Sequence, residues 1–193
     1  MTSSLNEGGT AVFRPSFCGL VLFFGGNPMK TFQVKQKLLS LGGKFTIADN
    51  LGIPTYQVEG SFLKIPKTFT ITDMKGRQVS RIEKKTISFL PQFKVKLADG
   101  NCFTIKKSWT FFKSRYQIEG LGIDVKGNVW DLSFNLQKDG QQIASIRQDL
   151  WHLTSTYTVE IYDEAYSDLV ISLVIAIDYV KEQEASQASS SSV

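Results

Sequence analysis

After Met29 the chain is written largely in a period of two. Phe32 and Val34 fall on one side of an extended segment with Lys35 and Lys37 on the other, and Phe45 and Ile47 follow Gly42-Gly43. Phe93, Val95 and Leu97 alternate with Lys94 and Lys96, while Trp130, Leu132, Phe134 and Leu136 alternate with Asp131, Ser133 and Asn135. Successive strand side chains point to opposite faces, so each segment reads as a half-buried β-strand. Asp99-Gly100 and Asp139-Gly140 read as type I′ hairpin turns, whose two central residues need positive φ. Close spacing gives about ten to twelve short strands and favours a closed or nearly closed antiparallel sheet.

Near the C-terminus the period breaks. Leu169-Val170-Ile171-Ser172-Leu173-Val174-Ile175-Ala176-Ile177 is the most apolar stretch of the chain. Its β-branched residues would suit a strand, but its length and the preceding Asp163-Glu164, a cap and a first-turn carboxylate, predict a helix from about Ala165 to Glu184. A helix apolar all round is buried all round, so this one is expected inside the sheet. Asp168 and Asp178 bracket too short a run for a span, which needs about 20 apolar residues.

The strand pattern also repeats. Tyr56-Gln57-Val58-Glu59-Gly60 returns as Tyr116-Gln117-Ile118-Glu119-Gly120. Each copy precedes a strand, a Gly turn and two more strands, with the turns at Gly76 and Gly140. Two halves of one core are expected rather than a solenoid or two domains.

The 193 residues suffice for one domain with a sizeable core, and 42% hydrophobic with 21% charged residues is ordinary globular composition. Residues 1–28 read as a leader or extension outside the native fold, with a natural start at Met29. Their apolar run Phe17 to Phe24 is too short to span a membrane and has no clear cleavage site. Residues 29–184 read as a single barrel domain, and 185–193 as a disordered Ser-rich tail. Two cysteines, Cys18 and Cys102, build no disulfide framework, which points to a reducing, cytoplasmic setting.

The net charge of +4 conceals a polarity. Residues 61–115 hold 13 Lys or Arg against 3 Asp or Glu; residues 116–193 hold 4 against 12. The two copies of the repeat thus carry opposite charge.

The paired Tyr-Gln-Val/Ile-Glu-Gly segments, Gly127-Asn128-Val129-Trp130-Asp131-Leu132, Ile143-Ala144-Ser145-Ile146, Tyr157-Thr158-Val159-Glu160-Ile161 and the run Leu169 to Asp178 resemble the LURP-one-related and YxjI family. That family is similar in fold to the Tubby C-terminal domain and to phospholipid scramblases. The resemblance covers about Met29 to Glu184 and implies a twelve-stranded β-barrel of two repeated halves enclosing a C-terminal hydrophobic helix. Its motifs are structural and imply no activity. Tubby domains bind phosphoinositide headgroups through basic side chains, but no ligand residue aligns with a position here.

Catalytic chemistry finds little footing. The single histidine, His152, stands beside Trp151 and Leu153 and reads as a structural or surface residue rather than a catalyst. Cys18 and Cys102 lack metal-ligand spacing, and Asp124, Asp131 and Asp139 fit no calcium loop. Gly25-Gly26 and Gly42-Gly43 lack the Lys and the spacing of a phosphate-binding loop. No paired nucleophile and base can be named, so a non-enzymatic domain with no cofactor and no metal is expected.

The basic middle of the chain is the feature with chemical promise. Lys94, Lys96 and Lys106 alternate with apolar residues and should face outward, near Lys107, Lys113 and Arg115 if their strands adjoin. Such a face would attract anionic phospholipid headgroups at the inner face of a membrane; outward lysines also serve simply to keep sheet edges soluble. A scramblase-like lipid-handling protein and a protein-partner adaptor are the alternative classes. No recognisable nucleic-acid module accompanies Trp109, Phe111, Phe112 and Tyr116, so nucleic acid is not the expected partner.

Overall fold

A computed structural model of the chain describes residues 28–35, 44–61, 68–85, 92–110, 113–129, 131–149 and 156–190. The leader reading of residues 1–28 lies outside these residues except at Pro28, as do His152, Trp130 and Gly42-Gly43. Twelve strands are present among the described residues: β1 Lys30–Lys35, β2 Lys44–Ala48, β3 Pro54–Gly60, β4 Thr68–Asp73, β5 Gln78–Lys85, β6 Gln92–Leu97, β7 Cys102–Thr110, β8 Lys113–Glu119, β9 Asp124–Asn128, β10 Ser133–Lys138, β11 Gln141–Asp149 and β12 Thr156–Ile161. One helix, α1, spans Ser167–Ser190.

The strands form two antiparallel sheets. β2 to β8 make a seven-stranded meander in chain order, and β1-β12-β11-β10-β9 make a five-stranded sheet. Where a closed or nearly closed barrel of two halves is expected, hydrogen bonding among the described residues gives these two sheets. At one seam they meet through an isolated bridge between Phe32 and Asp49 and through Asn50 N–H donating to Thr31 O at 2.9 Å. At the other, β8 and β9 are the edge strands of different sheets.

Glycine geometry explains why the second copy of the repeat does not follow the first. Gly60 closes β3, and Phe69 Cε1 on the paired β4 occupies the space 2.9 Å from where its Cβ would be. Gly120 instead has φ +77, follows β8 and, with Gly122 at φ +70, turns the chain out of the seven-stranded sheet. The copies therefore share a motif but not a strand order, because β9 intervenes before the β10–β11 hairpin.

The stronger regularity is a hairpin. Gly52, Gly76 and Gly100 have φ 78, 81 and 91°, and each donates its N–H back to Asp49, Asp73 or Leu97, at 3.0, 3.0 and 3.2 Å. These equally spaced loops join β2 to β3, β4 to β5 and β6 to β7. The type I′ reading holds at Asp139-Gly140, with φ 50 and 80°, but at Asp99-Gly100 only the glycine is left-handed. There Leu97 N–H donates to Asn101 O at 2.8 Å, which makes the loop one residue longer than a two-residue turn. The expected Trp130 to Leu136 strand also starts later, at Ser133, because Leu132 is left-handed at φ 51°.

The core lies between the sheets, around α1. Every residue from Val170 to Val180 is buried. Tyr179 packs edge-on against Phe69 and Phe93 of the seven-stranded sheet, with ring centroids 4.6 and 5.3 Å away. Each fully buried Val, Leu or Ile contributes about 1.5–3 kcal/mol, so burial on every side stabilises a sequence whose β-branched residues do not favour a helix. Asp163 caps the preceding 3-10 turn Glu164–Tyr166, its Oδ1 accepting from Ala165 N–H at 3.0 Å. The helix passes the expected end near Glu184 and takes in part of the expected tail, since Glu, Gln and Ala are good helix formers.

Candidate functional site

Strands β5 to β7 bury one side and expose the other. Ile82, Phe93, Val95, Phe103 and Ile105 are buried, so Arg81, Glu83, Lys94, Lys96, Thr104 and Lys106 face outward. Register sets the neighbours. Arg81 is opposite Lys96 and Glu83 opposite Lys94; across β6 and β7, Lys94 is opposite Thr104 and Lys106 opposite Gln92.

Glu83 is the hub of this face. Its carboxylate accepts from Arg81 Nε at 2.6 Å and pairs with Lys96 Nζ at 3.4 Å. Desolvation alone would raise its pKa, but the hydrogen bond from Arg81 and the charge of Lys96 win and hold the carboxyl below its ordinary value. Lys106 pairs with Glu119. For Lys94 no ion pair is seen among the described residues.

The remaining basic residues are placed by backbone register. Arg115 is opposite Ser108 and Lys113 opposite Thr110, positions with the parity of Lys106, whereas Lys107 is opposite Tyr116 and has the parity of Phe103 and Ile105. Five of the six expected residues thus share one parity across β6, β7 and β8. The side chains of Lys107, Lys113 and Arg115 lie outside the described set. Arg81 and Lys85, on the outward positions of β5, belong to the same face and were missed. The alternation Arg81, Glu83, Lys85 was the signal that could have found them.

Other chemistry is sparse. Among the described residues no group of three or more His, Cys, Asp or Glu could hold a metal ion. Cys102 is a free, exposed thiol. A cleft of about 350 Å³ opens between the sheets at the β8–β9 seam, lined in part by Ile118, Leu121, Ile123 and Lys138. Among the described residues no helix is long and apolar enough to cross a membrane.

The fold is a mainly β domain in which two antiparallel sheets pack against one buried C-terminal helix, and this face of it is charged. The chain belongs to the LURP-one-related family, whose profile matches residues 30–178. It is 30% identical over 146 residues to the uncharacterized protein YxjI of Bacillus subtilis, covering 75% of this chain and 88% of that one. Among solved structures, an X-ray structure of a protein from Arabidopsis thaliana matches 79% of this chain and 92% of its own at 14% identity, with a TM-score of 0.48.

Proposed function

We propose that this domain is a non-catalytic binding module that takes anionic phospholipid headgroups on the outer face of the seven-stranded sheet. The observation that carries the reading is a charge imbalance by position. Outward positions of β5, β6 and β7 hold Arg81, Lys85, Lys94, Lys96 and Lys106 against the single carboxylate Glu83. Each such cation near an anionic bilayer is worth about 1 kcal/mol, so several on one face suffice for reversible attachment. On this reading the domain works at the inner face of a membrane. A lipid-handling role that needs α1 in the bilayer is disfavoured, because Val170 to Val180 have no free side.

Co-sedimentation with phosphatidylserine-containing vesicles over a salt series tests it. Binding should weaken steeply with salt, and K94E/K96E should weaken it by about tenfold or more, since two cations near the surface are replaced by anions. Equal binding by the variant and the wild type would refute the sheet-face reading.

A further inference from the structure

Two cations on the outer face of the seven-stranded sheet share one carboxylate, and a third beside them is left over. Arg81 and Glu83 are two residues apart on β5 and project from the same side, with Lys96 opposite Arg81 and Lys94 opposite Glu83 on β6. Glu83 reaches diagonally rather than straight across. Its Oε2 lies 3.4 Å from Lys96 Nζ, and its Oε1 accepts from Arg81 Nε at 2.6 Å, so each oxygen holds one cation. Lys94, directly across from Glu83, makes no ion pair among the described residues. The Glu83 side chain is 28% exposed against 45% for Arg81 and 52% for Lys96, which leaves both cations open to solvent.

The same face holds a second carboxylate arranged differently. Glu119, opposite Thr104 on the outward parity of β8, pairs with a single cation, Lys106. Neutralising either glutamate removes one negative charge. Only Glu83 ties down two cations at once.

We propose that Glu83 is a resident competitor of the headgroup: its carboxylate occupies the place of a phosphate between Arg81 and Lys96, and binding of an anionic headgroup exchanges one for the other. A guanidinium and an ammonium held on the two oxygens of one anion are donors that a phosphate can take over, the first as a planar fork and the second as a point charge. Although desolvation would raise it, the Glu83 carboxyl is held below its ordinary value by Arg81 and Lys96, so the competitor is charged at neutral pH. Lys94 supplies the first attraction, and the exchange keeps attachment weaker than the number of cations alone would make it. The inference rests on the sheet-face reading for its ligand and adds what limits its strength.

The test compares wild type, E83Q, E119Q and K94E/K96E on phosphatidylcholine vesicles containing phosphatidylserine at fixed salt, with thermal melts to confirm folding. One charge near an anionic bilayer is worth about fivefold in partitioning, so E119Q should tighten binding by about that much at most. E83Q should tighten it further, by about tenfold or more, because it also releases Arg81 and Lys96. Equal tightening by E83Q and E119Q would mean that Glu83 acts only through its charge, and weaker binding by E83Q that it positions its cations. Either result overturns the exchange, and the sheet face still stands if K94E/K96E binds less than wild type. Binding of K94E/K96E like wild type, or no binding by either wild type or E83Q, removes the face itself and the exchange with it. A second readout needs no variant. The Arg81 Nε–H resonance of the wild type should shift saturably as dihexanoyl phosphatidylserine is added, and a resonance that stays in place overturns the exchange.

Discussion

Asp168 and Asp178 stand at opposite ends of the same buried run of α1, and the sheets treat them differently. At the first end Tyr56 on β3 donates its hydroxyl to Asp168 Oδ1 at 3.0 Å. One turn on, Ser172 Oγ lies 2.6 Å from Asp168 O and 2.7 Å from Ser80 Oγ. With one proton to give, it donates to the carbonyl and accepts from Ser80. At the other end Asp178 is 4% exposed, and the buried hydroxyls of Tyr157 and Tyr179 make no hydrogen bond among the described residues. Burial pushes the Asp178 carboxyl up to about 7, with the Lys181 ammonium opposing and Glu182 adding to the rise. A polar group inside an apolar shell is tolerated where a strand supplies a partner and becomes a liability where it does not.

That asymmetry has its largest consequence in pH. Asp178 has an ordinary value of 3.8 unfolded and about 7 folded, so between these the folded chain holds the proton more tightly. Its contribution is complete below about pH 4 and is lost as pH rises through 7. Asp73 and Glu83, both shifted downward, act below about pH 4.5 and leave the range between pH 5 and pH 8 clear. Urea unfolding should show wild type less stable at pH 8 than at pH 5. D178N should remove most of that difference and gain on the order of 2–4 kcal/mol at pH 8. Identical pH profiles for the two proteins would mean that Asp178 is solvated or paired and that the ends are alike.

The opposite sign is expected at the partnered end. Tyr56→Phe removes the hydroxyl that meets Asp168 while keeping a ring that packs at 5.9 Å from Phe32. A hydrogen bond to a charged group contributes about 1.5–3 kcal/mol, less where water can replace the lost donor, as at the half-buried Asp168. A loss of about 1 kcal/mol at pH 7 is therefore expected by urea unfolding. No loss would show that the bond is immaterial and that partnership does not distinguish the ends.

The helix was legible because its signal is cumulative: nine residues with one polar interruption, preceded by Asp163. The strands were legible from alternation, and so was the outward facing of Lys94, Lys96 and Lys106. Ion pairing was not, because Lys96 reaches a carboxylate on β5 and Lys106 one on β8, and register sets both. The repeat misled for a related reason. Gly60 and Gly120 are the same letter in the same motif, but one makes room for Phe69 and the other supplies a left-handed bend. The exposure of Leu51, Ile53 and Met74 was illegible too, since they look like core residues in the sequence but sit on the β2–β3 and β4–β5 loops.

The smallest expected effect is the sharpest test of the unpartnered end. The Tyr179 ring is fixed by Phe69 and Phe93, and burial pushes its phenol up to about 12, with the Glu182 charge adding. Its hydroxyl occupies buried space without a hydrogen bond among the described residues. Tyr179→Phe keeps the ring contacts and deletes an unsatisfied group, so stability should change by less than about 0.5 kcal/mol or rise slightly. A fall of about 1 kcal/mol or more would mean that the hydroxyl has a partner. The liability at this end would then rest on Asp178 alone, and the contrast with Asp168 would narrow to one carboxylate against another.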